Sequence, residues 1–178
     1  MLTYAAHKRF GPSRGDDWVQ YIEWSGLSHI RELVSTDTML CPTVIDHLID
    51  EDWKHNVHAD NRVFRFTDPL YLKHRIDYDP LQHNILGIVE QPSRCESVDG
   101  NFEICGYDIL DSYESISVLT NCGGFPDIFA PSEINDFGLL PDLEIANGIA
   151  ARIRSTHPED SHCEDCRVWM ISRYTNSK

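Results

Sequence analysis

Residues 102–126 read Phe-Glu-Ile-Cys-Gly-Tyr-Asp-Ile-Leu-Asp-Ser-Tyr-Glu-Ser-Ile-Ser-Val-Leu-Thr-Asn-Cys-Gly-Gly-Phe-Pro, and this stretch decides the fold class. Apolar residues alternate with polar ones in its first half, and the alternation breaks at Gly106, which predicts a half-buried strand with a bulge. Ile116 and Val118 resume the alternation after the polar residues 111–115. The simplest prediction is therefore a hairpin of two antiparallel strands.

Two more strands and a helix are predicted around this hairpin. The run Ile-Leu-Gly-Ile-Val at 85–89 is short and rich in β-branched residues, and residues 167–174 alternate, so both are predicted strands. Between the hairpin and the last strand, Pro141 and Asp142 form a favourable helix start, and apolar residues recur at helical spacing up to His157.

The first half of the chain is predicted to be mainly helical. Residues 1–15 contain Gly-Pro-Ser-Arg-Gly and are expected to form an irregular lead-in. Helix starts are predicted near Asp16, Ser28, Thr43 and Pro69, each followed by apolar residues at helical spacing.

These elements together predict one α+β domain over residues 1–178. An antiparallel sheet of about four strands is expected, with helices packed mainly on one face and a helical N-terminal half. A chain of 178 residues can bury its own core without disulfides or metals. No apolar run is long enough to span a bilayer, and the first ten residues lack the basic-then-apolar pattern of a signal peptide, so a cytoplasmic protein with free thiols is expected.

Charge is the most informative global property. The chain has 29 acidic and 15 basic residues, for a net charge of −14. Residues 99–165 contain 14 of the acidic residues and only two basic ones, Arg152 and Arg154. Such a surface repels phosphate backbones, which disfavours nucleic-acid binding, and attracts a basic protein or a cation. The acidity could equally serve solubility alone.

The strongest candidate for metal chemistry is the segment His157-Pro-Glu-Asp-Ser-His162-Cys163-Glu-Asp-Cys166. Two thiols at Cys-x-x-Cys spacing can bind one zinc ion, and either histidine can complete the ligand set. The sequence has no second Cys-x-x-Cys pair, and adjacent ligands at positions 162 and 163 would strain a shared site. The alternative is a polar loop in which the cysteines are buried.

Three weaker candidate sites are present. Cys122 precedes two glycines and could be a nucleophile with His157 or His162 as its base. His55 and His58 would share a helix face, where Asp52 or Asp60 could join them as metal ligands. A third candidate, a set of carboxylates for acid or base catalysis, comprises Asp108, Asp111 and Glu114. Each set also fits an ordinary structural or solvent-exposed role.

Five segments resemble a family of bacterial proteins with no established activity. They are Asp37-Thr-Met-Leu-Cys-Pro, Asp50-Glu-Asp-Trp-Lys-His-Asn-Val, Gly106-Tyr-Asp-Ile-Leu-Asp, Leu119-Thr-Asn-Cys-Gly-Gly-Phe-Pro and His157-Pro-Glu-Asp. The resemblance covers the chain from about residue 30 onward and implies a bacterial cytoplasmic protein, with no activity to carry over.

The sequence favours a non-catalytic protein over an enzyme. Common nucleotide-binding, zinc-protease and serine-hydrolase motifs are absent from it. We expect a module that binds a basic partner in the manner of an immunity protein or inhibitor. The alternative is a metal-dependent or cysteine-based enzyme that uses the segment from His157 to Cys166.

Overall fold

The computed structural model describes residues 1–44, 57–60, 63–94, 98, 100–111, 116–121, 125 and 127–175. Within those ranges the protein is an α+β fold with one antiparallel sheet and three α-helices. The elements in chain order are β1 (Leu2–Lys8), α1 (Asp16–Ser25), β2 (Val57–Asp60), β3 (Val63–Phe66), α2 (Pro69–Arg75), β4 (His83–Glu90), β5 (Phe102–Leu110), α3 (Leu143–Thr156) and β6 (Arg167–Tyr174).

In the part of the chain that the structure describes, the sheet has six strands in the order β2-β3-β1-β4-β6-β5, and each neighbouring pair is antiparallel. The prediction of about four strands was too low. The prediction of a helical N-terminal half is wrong, and so is the irregular lead-in, because β1 lies in the middle of the sheet. Residues 3–7 of β1 are buried, since strands flank it on both sides and its two faces are covered.

Strand β5 confirms the predicted bulge and corrects the predicted hairpin. Its register with β6 shifts between Ile104 and Gly106, and the glycine has a φ of 143°. A Cβ at that glycine would lie 2.7 Å from the carbonyl oxygen of Leu140, so the close approach requires glycine. Residues 116–118 meet the end of β5 through a single bridge, from Leu110 to Ser117, and the strand partner of β5 is β6.

Helices α2 and α3 pack on the same face of the sheet. Leu72 of α2 is buried in a cluster with Ala6 and Ile85. At the other end of that face, Ile149 and Ile153 of α3 pack in a cluster with residues of β5 and β6. Both helices begin as predicted, because the Asp68 and Asp142 side chains accept hydrogen bonds from the backbone amides of the first turn.

Segments without regular secondary structure cover the opposite face. Val34 and Leu139 are buried there against Trp169 and Ile171 of β6. The helix predicted from Ser28 is therefore wrong, because residues 27–36 form an irregular segment that bonds to residues 136 and 137. The helix predicted from Thr43 falls largely outside the described residues, although Thr43 itself bridges to β1.

No helix among the described residues has the length and apolar composition that crossing a membrane requires.

Candidate functional site

The segment between α3 and β6 is an ordered turn, which we call the acidic turn and define as residues 157–166. Backbone hydrogen bonds close it within itself, from the amides of Cys163 and Glu164 to the carbonyl of Asp160. The Asp160 carboxylate also accepts a bond from the amide of His162 at 2.9 Å. These local bonds hold the turn in one conformation, as side-chain caps do in other polar turns.

At least three contacts attach the acidic turn to the body of the protein. Cys163 and Cys166 are fully buried and pack in the main core cluster. Arg154 of α3 donates to the carbonyl oxygen of Cys166 at 2.7 Å. The third contact joins His162 to Asp111, at the end of β5, with 3.0 Å between Nδ1 and the carboxylate. The Cys-x-x-Cys spacing thus supplies two apolar anchors for a polar loop.

The four predicted zinc ligands do not converge. Among the described residues, no three His, Cys, Asp or Glu side chains are placed to hold a metal ion together. His157 packs against the ring of Phe125, and burial raises the pKa of the Cys166 thiol above its ordinary value. Zinc binding by His157, His162, Cys163 and Cys166 stays a prediction.

Asp111 and His162 form an oriented acid and imidazole pair. The Asp111 side chain is 1% exposed, whereas that of His162 is 42% exposed. Because Nδ1 of the imidazole faces the carboxylate, Nε2 is the ring nitrogen left to meet a substrate or solvent. A buried carboxylate that orients a histidine is the arrangement that general-base catalysis uses.

Only some of the remaining predicted site residues lie in the part of the chain that the structure describes. Cys122, Glu114, Asp52 and His55 lie outside the described residues. His58 lies in strand β2, so the prediction that it shares a helix face with His55 is wrong.

Asp108 and Asp37 belong to a buried polar network that sequence reasoning recognised only in part. Both residues are fully buried. Asp108 accepts hydrogen bonds from the hydroxyls of Ser35 at 2.6 Å and Ser117 at 2.7 Å. Asp37 accepts from the backbone amide of Ser117 at 2.8 Å and from the amide group of Asn121 at 2.9 Å. The network joins the irregular segment 35–40 to β5 and to the residues after it.

Burial controls the ionisation of this network. It raises the pKa of Asp108 from 3.8 to about 7, the nearby charge of Asp37 adds to the increase, and the two serine hydroxyls oppose it. Of the three carboxylates predicted as a catalytic set, Asp108 and Asp111 are thus buried, and they make separate contacts.

A second polar centre, which the sequence analysis missed, surrounds Glu32. This buried carboxylate accepts from Arg9 Nε at 2.7 Å and from Arg9 Nη2, and also from Arg173 Nη1 at 3.2 Å and Asn84 Nδ2 at 2.9 Å. The residues come from four distant parts of the chain. Only the strand order brings them together, so no local motif could have revealed them.

Two adjoining cavities open beside Arg9. One has a volume of about 250 Å³ and the other about 330 Å³, and both are lined by Arg9, Ser13 and Leu81. Arg31 and Glu32 line the first, whereas Lys8, Arg14 and His83 line the second.

Comparison with known proteins assigns no relative: no protein-family model, no curated protein and no solved structure matches the chain. The resemblance to a bacterial family stays a prediction.

Proposed function

We propose that this protein is a non-catalytic binding module whose acidic turn docks on a basic protein partner. The observation that carries the proposal is the composition and order of that turn. Glu159, Asp160, Glu164 and Asp165 are all exposed, and residues 157–166 contain no lysine or arginine. Complementary charge at an interface speeds association and selects partners of opposite sign.

The order of the turn supports binding over mere solubility. Carboxylates that serve solubility need no fixed positions, whereas the backbone that carries these is held by two buried cysteines, by Arg154 and by His162. Preorganised groups lose less conformational entropy when a partner binds. The basic residues nearest in sequence are engaged elsewhere: Arg167 pairs with Glu90, and Arg152 and Arg154 donate to the backbone carbonyls of Asp127 and Cys166.

A triple variant tests the proposal. Glu159→Gln, Glu164→Gln and Asp165→Asn together remove three exposed charges and leave the Asp160 cap intact. The matched control is Glu23→Gln, Asp77→Asn and Glu103→Gln, which removes three exposed charges elsewhere. Asn is suited to position 77 because that residue has a φ of 50°.

The assay is affinity capture from a cell extract followed by binding kinetics with the captured protein. We expect wild type and the control to retain the same basic protein, and the turn variant to associate with it about ten-fold more slowly at low salt. Raising the salt concentration should shrink that difference. Equal association rates for the turn variant and the control would contradict the proposal, as would capture of no basic protein by wild type.

We infer a second candidate function, a cysteine-based enzyme, from the pairing of Asp111 with His162. The pair supplies an oriented base, and Cys122 would be the nucleophile. Four other thiols, those of Cys41, Cys105, Cys163 and Cys166, are buried. Burial raises the pKa of the Cys105 thiol to about 11, which leaves it almost wholly protonated at neutral pH.

Alkylation by iodoacetamide at pH 6.5, followed residue by residue with mass spectrometry, tests this candidate. An activated Cys122 should react faster than the other thiols, and His162→Gln should slow it about ten-fold or more. If Cys122 reacts at the same rate in wild type and in His162→Gln, the enzyme hypothesis fails while the binding proposal stands.

A further inference from the structure

We propose that the two cavities beside Arg9 form one site for a small molecule that carries two anionic groups, of the kind found in organic pyrophosphates and bisphosphates. We call this site the basic cleft and define it by Lys8, Arg9, Ser13, Arg14, Arg31 and His83. It is independent of the acidic turn and of the partner proposed for that turn.

Arg9 is the fixed centre of the basic cleft. Its Nε and Nη2 donate to the two oxygens of Glu32, and its Nη1 donates to the carbonyl oxygen of Pro80 at 2.7 Å. Three of its five N–H groups are therefore engaged, and two are left for a ligand. Because the guanidinium lines both cavities and is held by a buried carboxylate, it can contact an anionic group on either side without losing side-chain entropy.

Strand pairing places further donors next to Arg9. Lys8 and His83 are directly opposite each other in the β1–β4 register, and the amide of Arg9 donates to the carbonyl oxygen of Gln82 at 2.8 Å. The amide of Asp79 donates to His83 Nδ1 at 3.4 Å, which leaves Nε2 as the donor on the other side of the ring. These residues thus provide a lysine, an arginine and an imidazole along the rim of the larger cavity.

The charge of the basic cleft opposes that of the whole chain. Four lysine or arginine side chains line it against one carboxylate, that of Glu32, whose charge is also shared with Arg173 outside the cleft. Arg31 pairs with Asp136 and Arg14 with Asp17, but both pairs are largely exposed and therefore weak. Lys8 is exposed and forms no ion pair with any described residue.

The size and layout of the basic cleft select the ligand class. Each cavity has a volume close to the lower limit that is typical for ligand pockets, so each suits one compact anionic group. Arg31 and Arg9 face one group, and Lys8, Arg14 and Arg9 face the other. Leu81, which is 80% exposed, lines both cavities and offers an apolar contact to the organic part of the ligand.

Isothermal titration calorimetry with inorganic pyrophosphate tests the site. The protein is first treated with a chelator, which is then removed by dialysis into a low-salt buffer at pH 7, so that no metal ion bridges the probe to exposed carboxylates. We expect pyrophosphate to bind with a Kd of about 0.1 mM or tighter. Orthophosphate, which can fill only one cavity, should bind about ten-fold more weakly.

The variants Lys8→Gln and Arg14→Gln change exposed side chains and should leave the thermal midpoint unchanged. Combined, they should raise the Kd for pyrophosphate about ten-fold. Arg94→Gln, at an exposed position outside the basic cleft, removes the same charge as either single variant and should leave the Kd unchanged.

Three results would overturn the proposal. They are the absence of binding heat up to about 5 mM pyrophosphate, equal weakening by Arg94→Gln and Lys8→Gln, and equal affinities for pyrophosphate and orthophosphate. Equal weakening by the two variants would indicate a general effect of charge. Equal affinities for the two probes would show that the site does not recognise two anionic groups at once. Citrate serves as a further probe: binding tighter than that of pyrophosphate would contradict the phosphate class.

Discussion

The substitution Asp108→Asn should change how the stability of the protein depends on pH. The folded protein keeps this buried carboxyl protonated up to a pKa of about 7, whereas the unfolded chain ionises it near its ordinary value of 3.8. Between those pH values the folded state binds the extra proton, so the free energy of unfolding decreases as the pH rises. The stabilising contribution is present at low pH and is lost as the pH approaches 7.

The size of the effect follows from linkage. One proton difference changes the free energy of unfolding by about 1.4 kcal/mol per pH unit. From pH 5.5 to pH 8, Asp108 should therefore lower the stability of wild type by about 2 kcal/mol, with almost all of the change below pH 7.5. Asn cannot ionise, so this contribution disappears from the variant.

Urea denaturation of both proteins at several pH values from 5.5 to 8 measures the difference directly. All other titrating groups are shared, so the difference between the two free energies isolates Asp108. Asp127→Asn, at an exposed position, is the control and should track wild type at every pH. Parallel profiles for wild type and Asp108→Asn would refute the reasoning, because they would mean that the carboxyl titrates alike in the folded and unfolded chain.

Three further predictions concern stability. Gly106→Ala should lower the free energy of unfolding, measured by urea denaturation, by about 3 kcal/mol or more. The new Cβ would clash with Leu140 and Leu139, and the backbone at this position has a positive φ. A loss below about 1 kcal/mol would contradict the close approach. Glu32→Ala should lower the free energy of unfolding by about 2–3 kcal/mol, because the partly exposed Arg9 and Arg173 lose a buried partner. A smaller loss at 1 M salt would show that the pairs act mainly at long range. Asp142→Ala removes the cap of α3 and should shift the urea midpoint by the equivalent of about 1 kcal/mol, whereas Asp142→Asn should retain most of the stability.

The parts of the fold that the sequence predicted are those with strong local signals. Strands β4 and β6 and helix α3 have marked apolar patterns, and the caps Asp68 and Asp142 mark two helix starts by the chemistry of one side chain. The bulge at Gly106 was likewise visible as a break in a period of two.

Strand β1 was missed because its pattern has no alternation to recognise. Its sequence, Leu-Thr-Tyr-Ala-Ala-His-Lys, is buried over five consecutive residues, so polar and apolar side chains follow each other on two covered faces. The helical spacing of Ile30, Leu33 and Val34 after Ser28 predicts a short helix. Residues 27–36 are instead held in an irregular path by hydrogen bonds to residues 136 and 137, which a local pattern does not encode.

The candidate sites also combine features that local sequence predicts with features that depend on tertiary contacts. The acidic turn was visible from composition, but its anchoring through Cys163 and Cys166 depends on where α3 and β6 place it. In the Glu32 centre, Glu32 pairs with an arginine 141 positions away, so the centre exists only once the sheet is assembled. The sequence therefore shows where charged residues are concentrated, whereas the partners of those residues are determined by the tertiary structure.

The sheet separates the two proposed sites, which makes their tests independent. The basic cleft lies at the His83 end of β4, and the acidic turn leads into β6 next to the Glu90 end, where Glu90 is opposite Trp169. These ends are seven residue steps apart, or about 23 Å at the usual rise per strand residue. That distance is more than twice the Debye length of about 8 Å at physiological salt. Lys8→Gln should therefore leave the association rate with a basic partner unchanged, and the triple variant of the acidic turn should leave the Kd for pyrophosphate unchanged. If Lys8→Gln changed the association rate, or if the triple variant changed the Kd for pyrophosphate, both binding measurements would depend on the net charge of the chain. Neither site would then be specific.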